Sequence, residues 1–151
     1  MPGSISFGPM TERDLDEVAG LEKECFSLPW SRDAFKNTLT DDNYIFFVAR
    51  DDGNVVGTAG LIVCGDEADV TNVAVKSDMR KNGIAFNLLS KLLEYAKEKN
   101  INTFTLEVRK SNEGAIGLYE KLGFKCLGER PGFYDCPKED ALIYRKTDGI
   151  K

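Results

Sequence analysis

Between residues 68 and 108 the chain passes through a strand rich in Val and Ala, a short basic turn holding one glycine, an amphipathic helix and a second strand. A strand that rejoins its sheet by way of a helix lies parallel to the one it left, so part of this sheet is parallel. The helix runs to about residue 100, and Ala85, Leu88, Leu89, Leu92, Leu93 and Ala96 share one stripe of it.

The remaining elements follow from local signals. Ile5 and Phe7 alternate in a strand over 4–8. Thr11 is an N-cap with Asp14 three residues on, and Leu15, Val18, Leu21, Cys25 and Phe26 follow at helical spacing. The chain breaks at Leu28-Pro29-Trp30, and Ser31 caps a short helix through Asn37. Strands at 44–50 and 55–64 flank Asp51-Asp52-Gly53-Asn54, a hairpin signal. Residues 68–75 form one strand and 101–108 another. Ser111 or Asn112 caps a helix that stops before Gly123. Strands at 124–136 and 141–146 close the sheet antiparallel, and the polar tail, 147–151, frays. The predicted order is β-α-α-β-β-β-α-β-α-β-β. The expected class is α/β (α+β) with a central mixed, largely antiparallel sheet and about four helices. With no repeat or linker, the expectation is one domain over residues 1–151.

The chain has no histidine, which removes Ser-His-Asp and Cys-His pairs and every His-ligated metal site. No metal is expected. Acid–base chemistry must come from carboxylates, lysine, tyrosine, thiols or water. A net charge of −5 argues against nucleic acid and is compatible with a cationic acceptor such as an amine. No apolar run reaches the length of a membrane span, and residues 1–14 lack a signal-peptide core, so a cytoplasmic protein is expected. Cys25, Cys64, Cys126 and Cys136 form no C-x-x-C pair, so reduced thiols are expected; the last three lie in strand-like contexts that read as buried.

The turn Arg80-Lys81-Asn82-Gly83-Ile84-Ala85 opens directly into a helix, whose first N–H groups lack intrahelical partners. Gly83 lets a ligand approach the backbone, and Arg80 and Lys81 add charge. Such a mouth suits a phosphate or pyrophosphate, although a turn of this kind is also an ordinary exposed loop. Its pattern Arg80-x-x-Gly83-x-Ala85, after Val73-Ala74-Val75, resembles the acyl-CoA motif of the GNAT N-acetyltransferases. The resemblance implies that the turn amides hold the coenzyme A pyrophosphate and that the strand edge holds the pantetheine arm. The segments "FSLPWS", "LEVRKSNEGAIGLYEKLGF" and "KEDALIY" are similar to the branch that acetylates the N-terminal alanine of a small-subunit ribosomal protein. The likeness extends from about Ile5 to Tyr144.

Asn112 and Tyr119 lie seven positions apart on one predicted helix, on one face and about 10 Å apart along its axis. The resemblance implies that Asn112 contacts pantetheine and Tyr119 sits by the thioester sulfur; otherwise Tyr119 is a core aromatic. Glu107, near the end of its strand, is either a general base, as the resemblance implies, or an ion-pair partner of Arg109. Asp66 and Glu67 are either part of the acceptor site or a solvated turn. Leu28 and Trp30, with Phe26 and Pro29, either wall the acceptor groove or pack the first helix onto the sheet. Tyr134 resembles a tyrosine that orients the acceptor backbone, although the family's frequent tyrosine pair is here Phe133-Tyr134.

The expected activity is direct transfer of acetyl from acetyl-CoA to a primary amine, foremost the α-amine of a protein N-terminus such as that of a ribosomal protein. A small-molecule amine, a lysine, or acyl-CoA sensing without catalysis are the alternatives. The expected state is a monomer or weak homodimer.

Overall fold

The computed structural model describes residues 5–135 and 137–148. Its strands are β1 (Ile5–Pro9), β2 (Tyr44–Asp51), β3 (Asn54–Cys64), β4 (Glu67–Val70), β5 (Ala74–Val75), β6 (Thr103–Arg109), β7 (Lys125–Tyr134) and β8 (Glu139–Thr147). Its helices are α1 (Leu15–Cys25), α2 (Arg32–Thr38), α3 (Ile84–Glu98) and α4 (Glu113–Lys121). The strands form one sheet in the order β1-β2-β3-β4-β6-β8-β7, with β5 also on β3. All pairs are antiparallel except β4 with β6, the pair joined through α3. Among the described residues no helix is long and apolar enough to cross a membrane.

The period of two decides which residues meet which helices. Along β2, Phe46 and Val48 pack with Met10, Leu15, Val18, Leu21 and Phe35, on the face that α1 and α2 cover. Phe47 and Ala49 turn the other way, into a larger core with Leu88, Leu89, Leu92 and Leu93 of α3 and Tyr119 of α4. The sheet is therefore the middle of three layers. In α3 the buried stripe begins at Ile84 rather than the expected Ala85, which is half-buried.

The expected single strand over 68–75 is divided. On β3, Leu61 pairs with Val70 and Thr58 with Ala74. Two residues of β3 thus face three of the other strand, residues 71–73, which is a β-bulge. Beyond it β5 stays on β3 and, among the described residues, pairs with nothing on its other edge, while β6 continues beside β8. The sheet splays open between β5 and β6. The Asn72 side chain donates to the buried carboxylate of Glu22 on α1, which fastens the bulge to the helix layer.

Of the tail expected to fray, Thr147 and Asp148 are held, and residues 149–151 lie outside the described residues. β8 runs through Thr147, and the Asp148 N–H donates to the Asn102 carbonyl at 2.8 Å. Cys64 and Cys126, expected to be buried, are exposed, because the one ends β3 and the other lies on the edge strand β7. Cys25, Cys64 and Cys126 are free thiols, and Cys136 lies outside the described residues.

Candidate active site

At the end of β5 the chain passes through a short 3-10 turn (Ser77–Met79) into the loop before α3. Lys81 and Gly83 both take left-handed backbone angles, φ 67° and 75°. The Asn82 carboxamide braces the loop from within, donating to the Met79 carbonyl at 3.1 Å. The Gly83 carbonyl accepts the first α3 bond, from Asn87 N–H at 3.0 Å, so the preceding amides are left outside the helix ladder. This amide-rich mouth fits a diphosphate. The charge beside it differs from expectation. Arg80 folds back, its Nε donating to the Val75 carbonyl at 3.0 Å and its Nη2 to Cys25 Sγ at 3.4 Å. Arg80 and Lys81 are both exposed, and Arg80 is the one tied back to the end of β5. Val75 carries the carbonyl that Arg80 grips, on the open edge of β5, and Ala74 is buried against β3.

Glu107 lies within β6. The strand's alternation buries Phe104, Leu106 and Val108 against α3 and α4, so Glu107 and Arg109 point to the opposite face. The Glu107 carboxylate is not paired with Arg109. It lies 3.6 Å from Arg130 on β7, with about a third of its side chain exposed. Tyr119 comes from the other side. It is 7% exposed, packs on Phe124 at 5.8 Å between ring centres, and belongs to the α3/α4 core. Burial, then the nearby Tyr134 hydroxyl, push its phenol up to about 12. Tyr134 ends β7. Burial first, then the charge of Glu107, raise its phenol too, against the pull of Arg109. Tyr134 is thus the electrostatic neighbour of both Tyr119 and Glu107.

Asn112 caps α4, its Oδ1 accepting from the Ala115 N–H at 3.1 Å. One lone pair of that oxygen is used by the helix, and the amide N–H₂ is available to a ligand. Trp30 packs into the α1/α2 core against Phe35 at 5.3 Å and Phe46 at 5.5 Å. Leu28 is 70% exposed and, with the exposed Pro29, can face an acceptor. Asp66 and Glu67 are not brought to the site. Glu67 pairs with Thr103, at the start of β6. Glu107 lies four residues further along that strand, about 13 Å away. A cleft of about 590 Å³ lined by Thr38, Tyr44, Phe47, Tyr95 and Lys99 is also remote. It lies at the far end of the 15-residue α3 from the loop, about 22 Å away, and takes no part.

Two features escaped sequence reasoning. Arg130 reaches Glu107 only through strand pairing, which leaves no local signal. Glu22 did leave one, a carboxylate four residues after Val18 and seven after Leu15 on the apolar face of α1. It is 1% exposed and accepts from Asn72 Nδ2 and from the Trp30 N–H at 3.3 Å. Among the described residues no cluster of His, Cys, Asp or Glu is arranged to hold a metal.

A mixed sheet splayed beside an amide-rich helix mouth, with the Tyr119 phenol and the Glu107 carboxylate on opposite faces of it, fits an acyl-CoA N-acyltransferase. Residues 15–124 match the model of the Acetyltransferase (GNAT) family, and the chain belongs to that family. It is an acetyl-CoA-dependent N-acetyltransferase. It is 33% identical over 132 residues to the [ribosomal protein bS18]-alanine N-acetyltransferase of Escherichia coli K12, covering 86% of this chain and 88% of that one. To the N-alpha-acetyltransferase RimI of Mycobacterium tuberculosis it is 31% identical over 151 residues, covering 96% and 94%. The crystal structure of the ribosomal-protein-S18-alanine N-acetyltransferase from Escherichia coli superposes with a TM-score of 0.89 at 29% identity, over 98% of this chain and 96% of that one.

Proposed function

We propose that the chain acetylates the α-amine of a protein N-terminus, with an alanine-starting ribosomal protein of the bS18 kind as the foremost acceptor. The observation that carries this reading is the disposition of Glu107 and Tyr119 on opposite faces of the sheet, each an electrostatic neighbour of Tyr134. The acceptor enters from the α1/α2 face, past Leu28 and Tyr134, and acetyl-CoA from the α3/α4 face. When bound, acetyl-CoA supplies an activated acyl group.

The residues divide the remaining work. The loop 80–85 holds the diphosphate on its amides, with Lys81 adding charge, and the open edge of β5 at Val73, Ala74 and Val75 aligns the arm. Asn112 steadies the arm with its free amide. An α-ammonium loses its proton near pH 7.7–8.0, within reach of a carboxylate base acting directly or through water. Glu107 accepts that proton, and Arg130 orients its carboxylate. Tyr119, still a phenol far above neutrality, donates its proton to the departing sulfur and is restored by the second proton that the nitrogen sheds as the amide forms. Acetyl passes directly from thioester to amine within one ternary complex, where close placement supplies much of the rate.

The test is mass spectrometry of peptides and ribosomal proteins incubated with the enzyme and acetyl-CoA. The expected product carries one acetyl group on the α-nitrogen of an alanine-starting chain. Acetyl on lysine side chains or on small amines alone overturns the α-amine reading, and coenzyme A binding without turnover overturns catalysis.

A further inference from the structure

Arg109 stands two residues beyond Glu107 on the same face of β6, and none of the chemistry above uses it. Its guanidinium is nevertheless the most engaged cation near the site. One amino group, Nη1, donates to the Pro137 carbonyl at 2.8 Å and to Glu139 Oε1 at 3.3 Å. The other, Nη2, donates to the Asp135 carbonyl at 3.0 Å. The plane lies over the Tyr134 ring, 4.4 Å from its centre. A single side chain thus grips both flanks of the β7–β8 turn and the aromatic ring that leads into it. Glu139 extends the grip by accepting the Ser111 N–H at 2.7 Å from its other oxygen, in the connection between β6 and α4. The Lys110 N–H donates to the Asp140 carbonyl at 3.1 Å, and the Gly132 N–H to Asp140 Oδ1 at 2.8 Å.

We propose that Arg109 is a positioning residue that clamps the β7–β8 turn against the β6–α4 connection, and so sets Tyr134 over the acceptor's path. The proposal rests on the reading that Tyr134 borders the acceptor. A planar fork with several donors is what this task needs, since two carbonyls, a carboxylate and a ring must be met at once. A lysine ammonium is a point charge and meets one or two of them. The clamp also explains the pairing at the site: with Arg109 committed to the turn, Glu107 is left to Arg130.

The experiment compares the parent chain with Arg109→Met and Arg109→Lys, using an alanine-starting peptide. In Arg109→Met the peptide KM is expected to rise about tenfold or more while the acetyl-CoA KM stays within about twofold. Added guanidinium ion is expected to restore part of the peptide KM in Arg109→Met, and Arg109→Lys to fall between Met and parent. Amide exchange at Ser111 and Gly132 is expected to quicken while that of the α3 core is unchanged. An unchanged peptide KM with unchanged exchange overturns the clamp. So do equal rises in both KM values with faster exchange everywhere, which mark a loosened fold. A parent chain that leaves the peptide unmodified, with exchange at Ser111 and Gly132 still responding, removes the acceptor reading and leaves the clamp standing.

Discussion

Glu22 sits where α1 turns an apolar stripe inward, and its carboxylate is held by Asn72 and the Trp30 N–H, with no ion pair among the described residues. Burial raises its pKa above the ordinary 4.5, and the two hydrogen bonds oppose the rise without cancelling it. The native state therefore binds this proton more tightly than the unfolded chain. Its contribution to stability is full below about pH 4.5 and is lost as pH rises through the raised native value. Glu22→Gln keeps the acceptor oxygen and removes the titration. Urea melts at about pH 4 and pH 7 are expected to show the Gln variant gaining on the parent at the higher pH; parallel profiles contradict this. Tyr119 titrates far from the working range, at about 12, because burial and then Tyr134 disfavour the phenolate. The profile of kcat/KM is thus expected to climb to a plateau with no descending limb from this group below about pH 11. Tyr119→Phe is expected to lower kcat by about a hundredfold with little change in acetyl-CoA affinity, measured by steady-state kinetics and calorimetry.

The loop before α3 and the bulge before β5 are the elements on which the site depends. Gly83 holds φ 75°, and an added Cβ would meet only Asn87 Nδ2, at 3.7 Å, so the penalty for Gly83→Ala is backbone strain of about 1–2 kcal/mol. Chemical denaturation should show that loss, together with a raised acetyl-CoA KM. Gly60 faces the opposite constraint. Its Cβ would fall 2.2 Å from the Phe46 ring, which Trp30 and Phe35 hold in place. Gly60→Ala is expected to cost about 1–3 kcal/mol, read as a lowered melting midpoint. Much of this was legible in the residues. The α3 stripe, a cap at Ser111 or Asn112 and a hairpin turn over 51–54 are local signals; the stripe appears with Ile84 in place of Ala85, Asn112 is the cap, and the turn closes on Asp52-Gly53. The bulge was not legible, because Val70-Thr71-Asn72-Val73-Ala74-Val75 has the composition of an unbroken strand, and only pairing with β3 shows the extra residue. Register also governs the errors at the site. It carries Asp66 and Glu67 to the wrong end of β4, gives Glu107 to Arg130, and leaves Cys126 on an open edge.

As a whole, the molecule is two cores divided by a sheet, one under α1 and α2 and one under α3 and α4. The splay interrupts pairing between the half that carries the diphosphate loop and the half that carries Glu107, Tyr134 and Arg109, and β4 with its three β6 partners is the bridge. A ligand seated there contacts both halves and binds only the folded chain. At a hundredfold excess over its Kd it adds about 2.7 kcal/mol of stability. For a chain of this length that corresponds to a rise of roughly 5–10 °C in Tm on adding acetyl-CoA, readable by scanning fluorimetry. The rise is expected to shrink in Gly83→Ala and to persist in Arg109→Met.

Beyond residues 71–73 the outer edge of β5 has no strand beside it among the described residues. On the function proposed above, donor and recipient would be admitted by separate doors, and neither would have to withdraw before the other arrives. Descendants of such a scaffold are free to recarve the recipient's doorway, in the α1–α2 connection and the β7–β8 turn, while the donor's threshold stays as it is.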